Sequence, residues 1–108
     1  MSKQISRRTV LRGMGAAVAL PALEAMSLYD SVGRVHAARG ELVPAAEALQ
    51  RAEALELRTH GGDHPATSST RLALGQVWMR SGRHDEAAAV LQRARAGYER
   101  ALGVEHPE

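Results

Sequence analysis

The chain copies itself at a spacing of 42 residues. Ser27 to Pro65 lies on Ser69 to Pro107 without a gap, and 15 of 39 positions are identical. An ungapped match of this length is a duplicated structural unit, and duplication narrows the folds open to the chain. The shared residues are small, apolar or chain-breaking. Gly33 matches Gly75, Val35 matches Val77 and Gly40 matches Gly82. Ala45, Ala46, Leu49 and Ala52 match Ala87, Ala88, Leu91 and Ala94. Gly61, His64 and Pro65 match Gly103, His106 and Pro107. What has been copied is packing and punctuation, not a set of reactive groups.

Each unit reads as two amphipathic helices. Leu28, Val32, Val35 and Arg39 fall at helical spacing, and Gly40 stops that helix. A second helix is expected from about Val43 to His60, with Ala45, Ala48, Leu49, Ala52, Leu55 and Leu57 mostly on one side. Gly61 to Pro65 ends it. In the second unit Leu72, Leu74, Val77 and Trp78 mark a helix, and Ser81-Gly82 marks a turn. A last helix is expected over 85–102, with Asp85 as N-cap and Gly103 as terminator. With 3% aromatic residues and no phenylalanine, the core must come from Leu, Val, Met and Ala, a composition that favours close-packed helices over sheets. The expected architecture is all-α: tandem antiparallel helix hairpins of an α-solenoid, about four helices after an N-terminal signal helix. The expected units are 27–68 and 69–108.

This unit resembles the tetratricopeptide repeat. In the second copy Leu74-Gly75, Trp78, Gly82, Ala87, Leu91 and Ala94 fall at that family's intervals. In the first copy Tyr29, Val32-Gly33, Gly40, Ala45, Leu49 and Ala52 do so. The physical reason is close approach: Gly75 and Ala87 let the helices of one unit meet, and Ala94 serves the contact with a following unit. The long period and the ending Leu102-Gly103-Val104-Glu105-His106-Pro107 are similar to the variant of kinesin light chains and many bacterial repeat proteins. The earlier junction, His60 to Pro65, lacks the Leu. His36 stands where Trp78 stands in the second copy, so the first interior should be less well filled. The sequence stops where a third unit would begin. Stacked repeats depend on their neighbours, so a longer array, or self-association through the uncapped C-terminal end, is expected.

The resemblance implies a scaffold for a protein or peptide, with no catalytic role and no cofactor. In this family the leading helices of successive units line a concave groove. The corresponding positions are Asp30, Arg34, Ala37 and Ala38 in the first unit, then Leu72, Gln76, Met79 and Arg80 in the second. Arg34 and Arg80 suit a carboxylate, through charge-assisted hydrogen bonds. Met79 offers an adaptable apolar contact.

Residues 1–26 read as an address. Lys3, Arg7, Arg8 and Arg12 against Glu24 give this segment a net charge of +3, while residues 27–108 carry ten Arg against eleven acids. The basic character therefore belongs to the tail. With almost no aromatic residues for base stacking, no nucleic-acid surface is expected. The apolar run from Gly13 to Leu23 spans roughly 16 Å as a helix, about half a bilayer core. It suits a signal peptide and not a stable membrane span. Ser6-Arg7-Arg8-Thr9-Val10-Leu11-Arg12 resembles the bacterial twin-arginine export signal, with Val10 where a bulkier residue is usual. That resemblance implies engagement of the twin-arginine export machinery by Arg7 and Arg8, and a periplasmic or otherwise extracytoplasmic location. Pro21 should interrupt the helical run. Cleavage after Ala25 is favoured, because a cut after Ala37 would remove most of the first leading helix. The alternative is a cytoplasmic chain whose basic helix packs on the first repeat. Export also admits a rival function, the repeat portion of an enzyme whose catalytic domain lies elsewhere.

The chemically suggestive residues have plainer readings. His60 and His64 have a metal-like spacing, but Gly61-Gly62 between them makes a turn. For His36 no oriented partner for base catalysis is identifiable in the sequence, and a partly buried helix histidine is expected. Ser68, Ser69 and Thr70 have no nucleophile elbow around them and suit the start of a helix. Gly13-Met14-Gly15 lacks the preceding strand and third glycine of a dinucleotide loop. The absence of Cys removes disulfides and thiol chemistry. The charges Arg51, Glu53, Glu56 and Arg58, then Arg93, Arg95, Glu99 and Arg100, are expected on solvated helix faces.

Overall fold

A computed structural model describes residues 7–103, with side chains from residue 22 onward. Four helices account for nearly all of it: α1 (Arg7–Ala38), α2 (Leu42–Thr59), α3 (Pro65–Arg80) and α4 (His84–Leu102). No strand occurs among the described residues. The helices pack in the order of a solenoid. α1 lies on α2, α2 on α3, and α3 on α4, with a narrower contact between α1 and α3.

Both hairpins turn in the same way. Gly40 N–H donates to Ala37 O at 3.1 Å and Glu41 N–H to His36 O at 2.9 Å. One repeat later, Gly82 N–H donates to Met79 O at 3.1 Å and Arg83 N–H to Trp78 O at 2.8 Å. This pair of bonds closes a helix end when the residue after it turns left-handed. Gly40 and Gly82 do so, at φ 78° and 83°, where a side chain would strain the backbone.

The hairpins close on glycine. A Cβ on Gly33 would sit 2.7 Å from Leu49 Cγ, and one on Gly75 would sit 2.5 Å from Leu91 Cγ. These are the same pair in the two copies, and each lets a leucine lie directly over the facing backbone. The core joins both units: Ala45, Ala46 and Leu49 pack with Leu74, Val77, Trp78, Ala87 and Val90.

The copies differ in how the first hairpin helix is filled at its end. Trp78 is buried and the Arg83 guanidinium stands 5.4 Å over its ring. In the first unit the counterparts are His36 and Glu41, with His36 Nδ1 3.2 Å from Glu41 Oε2. The His36 ring is smaller and half-buried. A carboxylate beside the imidazole stands where the second unit has a cation over an indole.

Four sequence expectations need correction. Pro21 does not interrupt the helical run, because α1 passes through it without a break. Proline removes one backbone bond, but Ala22-Leu23-Glu24-Ala25-Met26 are all strong helix formers and carry the helix on. Asp85 is not the N-cap of α4; Arg83 is, and Asp85 and Glu86 sit in the first turn, where carboxylates favour the positive helix end. Leu57 is exposed while Glu56 is buried, because the stripe 45-49-52-56 faces the second unit. Ala94 is buried within its own hairpin, since α4 packs only on α3 among the described helices. Gly103 ends α4 in the left-handed conformation, at φ 68°. The rest of that junction, Val104 to Pro107, lies outside the described residues, as do the side chains of Arg7 and Arg8.

Candidate peptide-binding groove

The seam between α1 and α3 carries most of the polar chemistry. Arg34 Nε donates to Asp30 Oδ2 at 3.0 Å, and its Nη2 donates to Ser69 Oγ at 3.1 Å. Arg80 Nη1 donates to the Ala37 carbonyl at 2.8 Å, tying the end of α3 to the end of α1. These bonds set the spacing of the two leading helices. They leave two hollows between them.

The first hollow, of about 320 Å³, is lined by Met26, Asp30, Arg34, Glu56, His60 and Thr70 among others. The second, of about 220 Å³, is lined by Arg34, Ala37, Leu49, Ala73, Gln76, Val77 and Arg80. Arg34 belongs to both. Of the positions expected to line the groove, Asp30, Arg34, Ala37, Gln76 and Arg80 come together here. Ala38 is exposed beside them. Leu72 and Met79 line neither hollow and stand exposed on α3.

Glu56 is the residue that sequence reading missed. It is 5% exposed, although it was expected on a solvated face. The second unit packs against this flank of α2 and shuts out water. The Thr70 hydroxyl lies 2.6 Å from Glu56 Oε1 and 3.4 Å from Asp30 Oδ1, while Glu56 Oε2 has no hydrogen-bond partner. Burial pushes the Glu56 carboxyl above its ordinary value, and the nearby Asp30 adds to the rise. The Thr70 bond, His60 and Arg34 oppose it without reversing it. Glu53 is likewise not solvated. It accepts from Arg71 Nε at 2.8 Å in a pair whose side chains are 18% and 10% exposed, and Arg71 also reaches the Gly62 carbonyl at 3.3 Å. The spacing of Glu56 after Ala45, Leu49 and Ala52 was the available signal. Gly97, also missed, extends the stripe of Ala87, Val90 and Ala94 and lets the Ser68 hydroxyl lie against its backbone.

The junction histidines are structural. His64 is the N-cap of α3, with its Nδ1 accepting from Ala66 N–H at 3.0 Å. Pro65 follows at the first helical position, where a missing N–H costs nothing. The His60 ring stacks on His64 at 4.2 Å. Among the described residues, no group of three or more His, Asp or Glu is placed to hold a metal. Thr67, Ser68 and Thr70 are all buried, Thr70 against Glu56 of the first unit and Ser68 against Gly97 of α4, and Thr67 Oγ1 donates to Gly61 O at 2.8 Å.

The Glu56 environment has a consequence for stability. An acid whose folded pKa is raised binds its proton more tightly in the folded state. Its favourable contribution is complete below the ordinary value of 4.5 and is lost as pH rises through the raised folded pKa. Glu56→Gln, which cannot ionise, should therefore raise the melting temperature at pH 7, and the gain should shrink towards pH 4. Melting curves across that range check this; a gain independent of pH would contradict it.

No curated protein and no solved structure matches the chain. The family model for the tetratricopeptide repeat does match, over residues 23–100. That span runs from the last turns before the first unit to the end of α4, and it takes in both hairpins, their glycine contacts and the seam between them. The chain belongs to the tetratricopeptide repeat family.

Proposed function

We propose that this protein is a non-enzymatic scaffold that holds a segment of a partner protein along the α1–α3 seam. Membership of a family of protein-interaction repeats supports the general role. One observation supports the chemistry of the bound segment: the second hollow is lined by two guanidinium groups and no carboxylate. Arg34 uses two of its nitrogens within the chain and Arg80 one. Each guanidinium has five N–H donors, so both retain donors for an incoming anion. A carboxylate, from an acidic side chain or a chain terminus, fits between them. Leu72 and Met79, exposed further round α3, extend the surface with apolar contacts. The first hollow adds the carboxyl groups of Asp30 and Glu56 beside Arg34, so the two ends of the seam differ in chemistry. Peptides selected from a displayed random library on the parent protein should be enriched in acidic residues. Arg34→Glu combined with Arg80→Glu should weaken their binding by about tenfold or more, the scale of one or two charge-assisted bonds. Unchanged binding by a variant with normal helicity would contradict the assignment.

Export through the twin-arginine route is part of the same proposal. The paired Arg7 and Arg8 ahead of an apolar run support it, and among the described residues no helix is long and apolar enough to cross a membrane. A cut after Ala25 would leave Met26, which is buried, at its place against the first unit. Fractionation of bacteria should find the parent outside the cytoplasm with a new N-terminus, and Arg7→Lys with Arg8→Lys should retain it inside at full length. A full-length cytoplasmic parent would contradict export.

A further inference from the structure

The contact between the two units is built from matched pairs, and the repeat register says what stands at the same positions on the two outer faces. Within the chain, α1 and α2 of the first unit present a rear face to the front face of α3. Asp30 and Glu56 on the rear meet Thr70 on the front. Arg34 meets Ser69. Ala46 and Leu49 pack with Leu74 and Val77. The outer front face of the first unit carries the residues 42 positions before Ser69, Thr70, Leu74 and Val77. These are Ser27, Leu28, Val32 and Val35. The outer rear face of the second unit carries the residues 42 positions after Asp30, Arg34, Leu49 and Glu56. These are Leu72, Gln76, Leu91 and Tyr98.

Both sides have changed together. The polar pairs of Thr70 with Asp30 and Glu56 become Leu28 facing Leu72 and Tyr98. The bond between Arg34 and Ser69 becomes Gln76 facing Ser27, still a donor opposite a hydroxyl. The apolar packing of Leu74 and Val77 is kept as Val32 and Val35 facing Leu91. At the position of the Glu53–Arg71 pair the counterparts are Arg95 and Tyr29, a guanidinium opposite an aromatic ring; the pairs named above set no apolar residue against a charge. Leu28, Val32 and Val35 are 61%, 37% and 51% exposed, and Leu72 is 40% exposed. In the internal seam the residues at the first three positions, Thr70, Leu74 and Val77, are at most 2% exposed.

We propose that the outer front face of one copy docks on the outer rear face of another, repeating the internal α2–α3 seam with an apolar centre in place of a polar one. The contact is head-to-tail, so it uses two different surfaces and does not close at two copies. The register of helix against helix is the one the chain already uses between its own units. Burial of Leu28 between Leu72 and Tyr98 supplies the hydrophobic gain that Thr70, bonded to two carboxylates, does not.

Sedimentation of the full chain from low to high micromolar concentration tests this. The parent mass should rise with concentration past that of a dimer. Leu28→Glu removes the front face and Leu72→Glu the rear, and each alone should stay monomeric. An equal mixture of the two should form a one-to-one dimer and nothing larger, because one intact front then meets one intact rear. Val35→Glu is a second front-face change and should behave as Leu28→Glu does; circular dichroism confirms that each variant keeps the parent helicity. A parent that stays monomeric throughout would overturn the proposal. So would a single variant that associates like the parent, or a mixture that remains monomeric.

Discussion

In each hairpin a leucine of the second helix lies directly over a glycine of the first. Leu49 crosses Gly33 and Leu91 crosses Gly75, at separations that leave no room for a methyl group. Glycine in mid-helix costs up to about 1 kcal/mol against alanine, so its presence at the same place in both copies is an expense met by packing. The close approach brings Ala45 and Ala87 to full burial and sets the tilt at which α2 receives α3. A chain with one Trp, no Phe and many alanines has few large side chains to fill a gap. It achieves interior density by drawing backbones together instead.

The seam between units obeys a different rule. Its centre is apolar, but Thr70, Glu56, Asp30, Arg34 and Ser69 form a polar edge, and a shielded ion pair between Glu53 and Arg71 joins α2 to α3. Such polar contacts add little net stability, because each group gives up water to form them. They do fix which residue meets which. A seam of alanine and leucine alone would tolerate a slip of one helical turn; Arg71 reaching both Glu53 and Gly62 would not. The same edge sets the separation of the two leading helices, and so the shape of the hollows that a partner segment would enter. Stability thus rests on the glycine contacts and the apolar centre, and register rests on the polar edge.

Much of this was legible because duplication doubles every signal. The turn glycines, the small residues at helix crossings and the His-Pro junction each occur twice, and each has one local cause. The losses were at contacts between units, where the two copies differ. Glu56 and Glu53 look like surface charges on α2 taken alone; only the packing of α3 against that flank makes them interior. Leu57 fails for the complementary reason, since an apolar residue one step past the stripe points away from the neighbour. The path of α1 through Pro21 reflects a balance between one lost bond and five good helix formers, and a rule about proline alone gives the wrong answer. Of the residues lining the two α1–α3 hollows, Asp30, Arg34, Ala37, Gln76 and Arg80 are ones that the family pattern names. The bonds that hold Arg34 and Arg80 in position, to Ser69 and the Ala37 carbonyl, depend on a register between units that no single unit encodes.

The glycine contact is tested most directly by a double-mutant cycle of Gly75→Ala, Leu91→Ala and the pair, read by urea unfolding. With Leu91 present, the added methyl should destabilise by about 1–3 kcal/mol through overpacking, less the gain of up to about 1 kcal/mol from helix propensity. With Leu91 reduced to alanine the overpacking should vanish, leaving Gly75→Ala neutral or stabilising. An equal effect of Gly75→Ala in both backgrounds would mean that the leucine does not press on the glycine, and that something else sets the helix spacing.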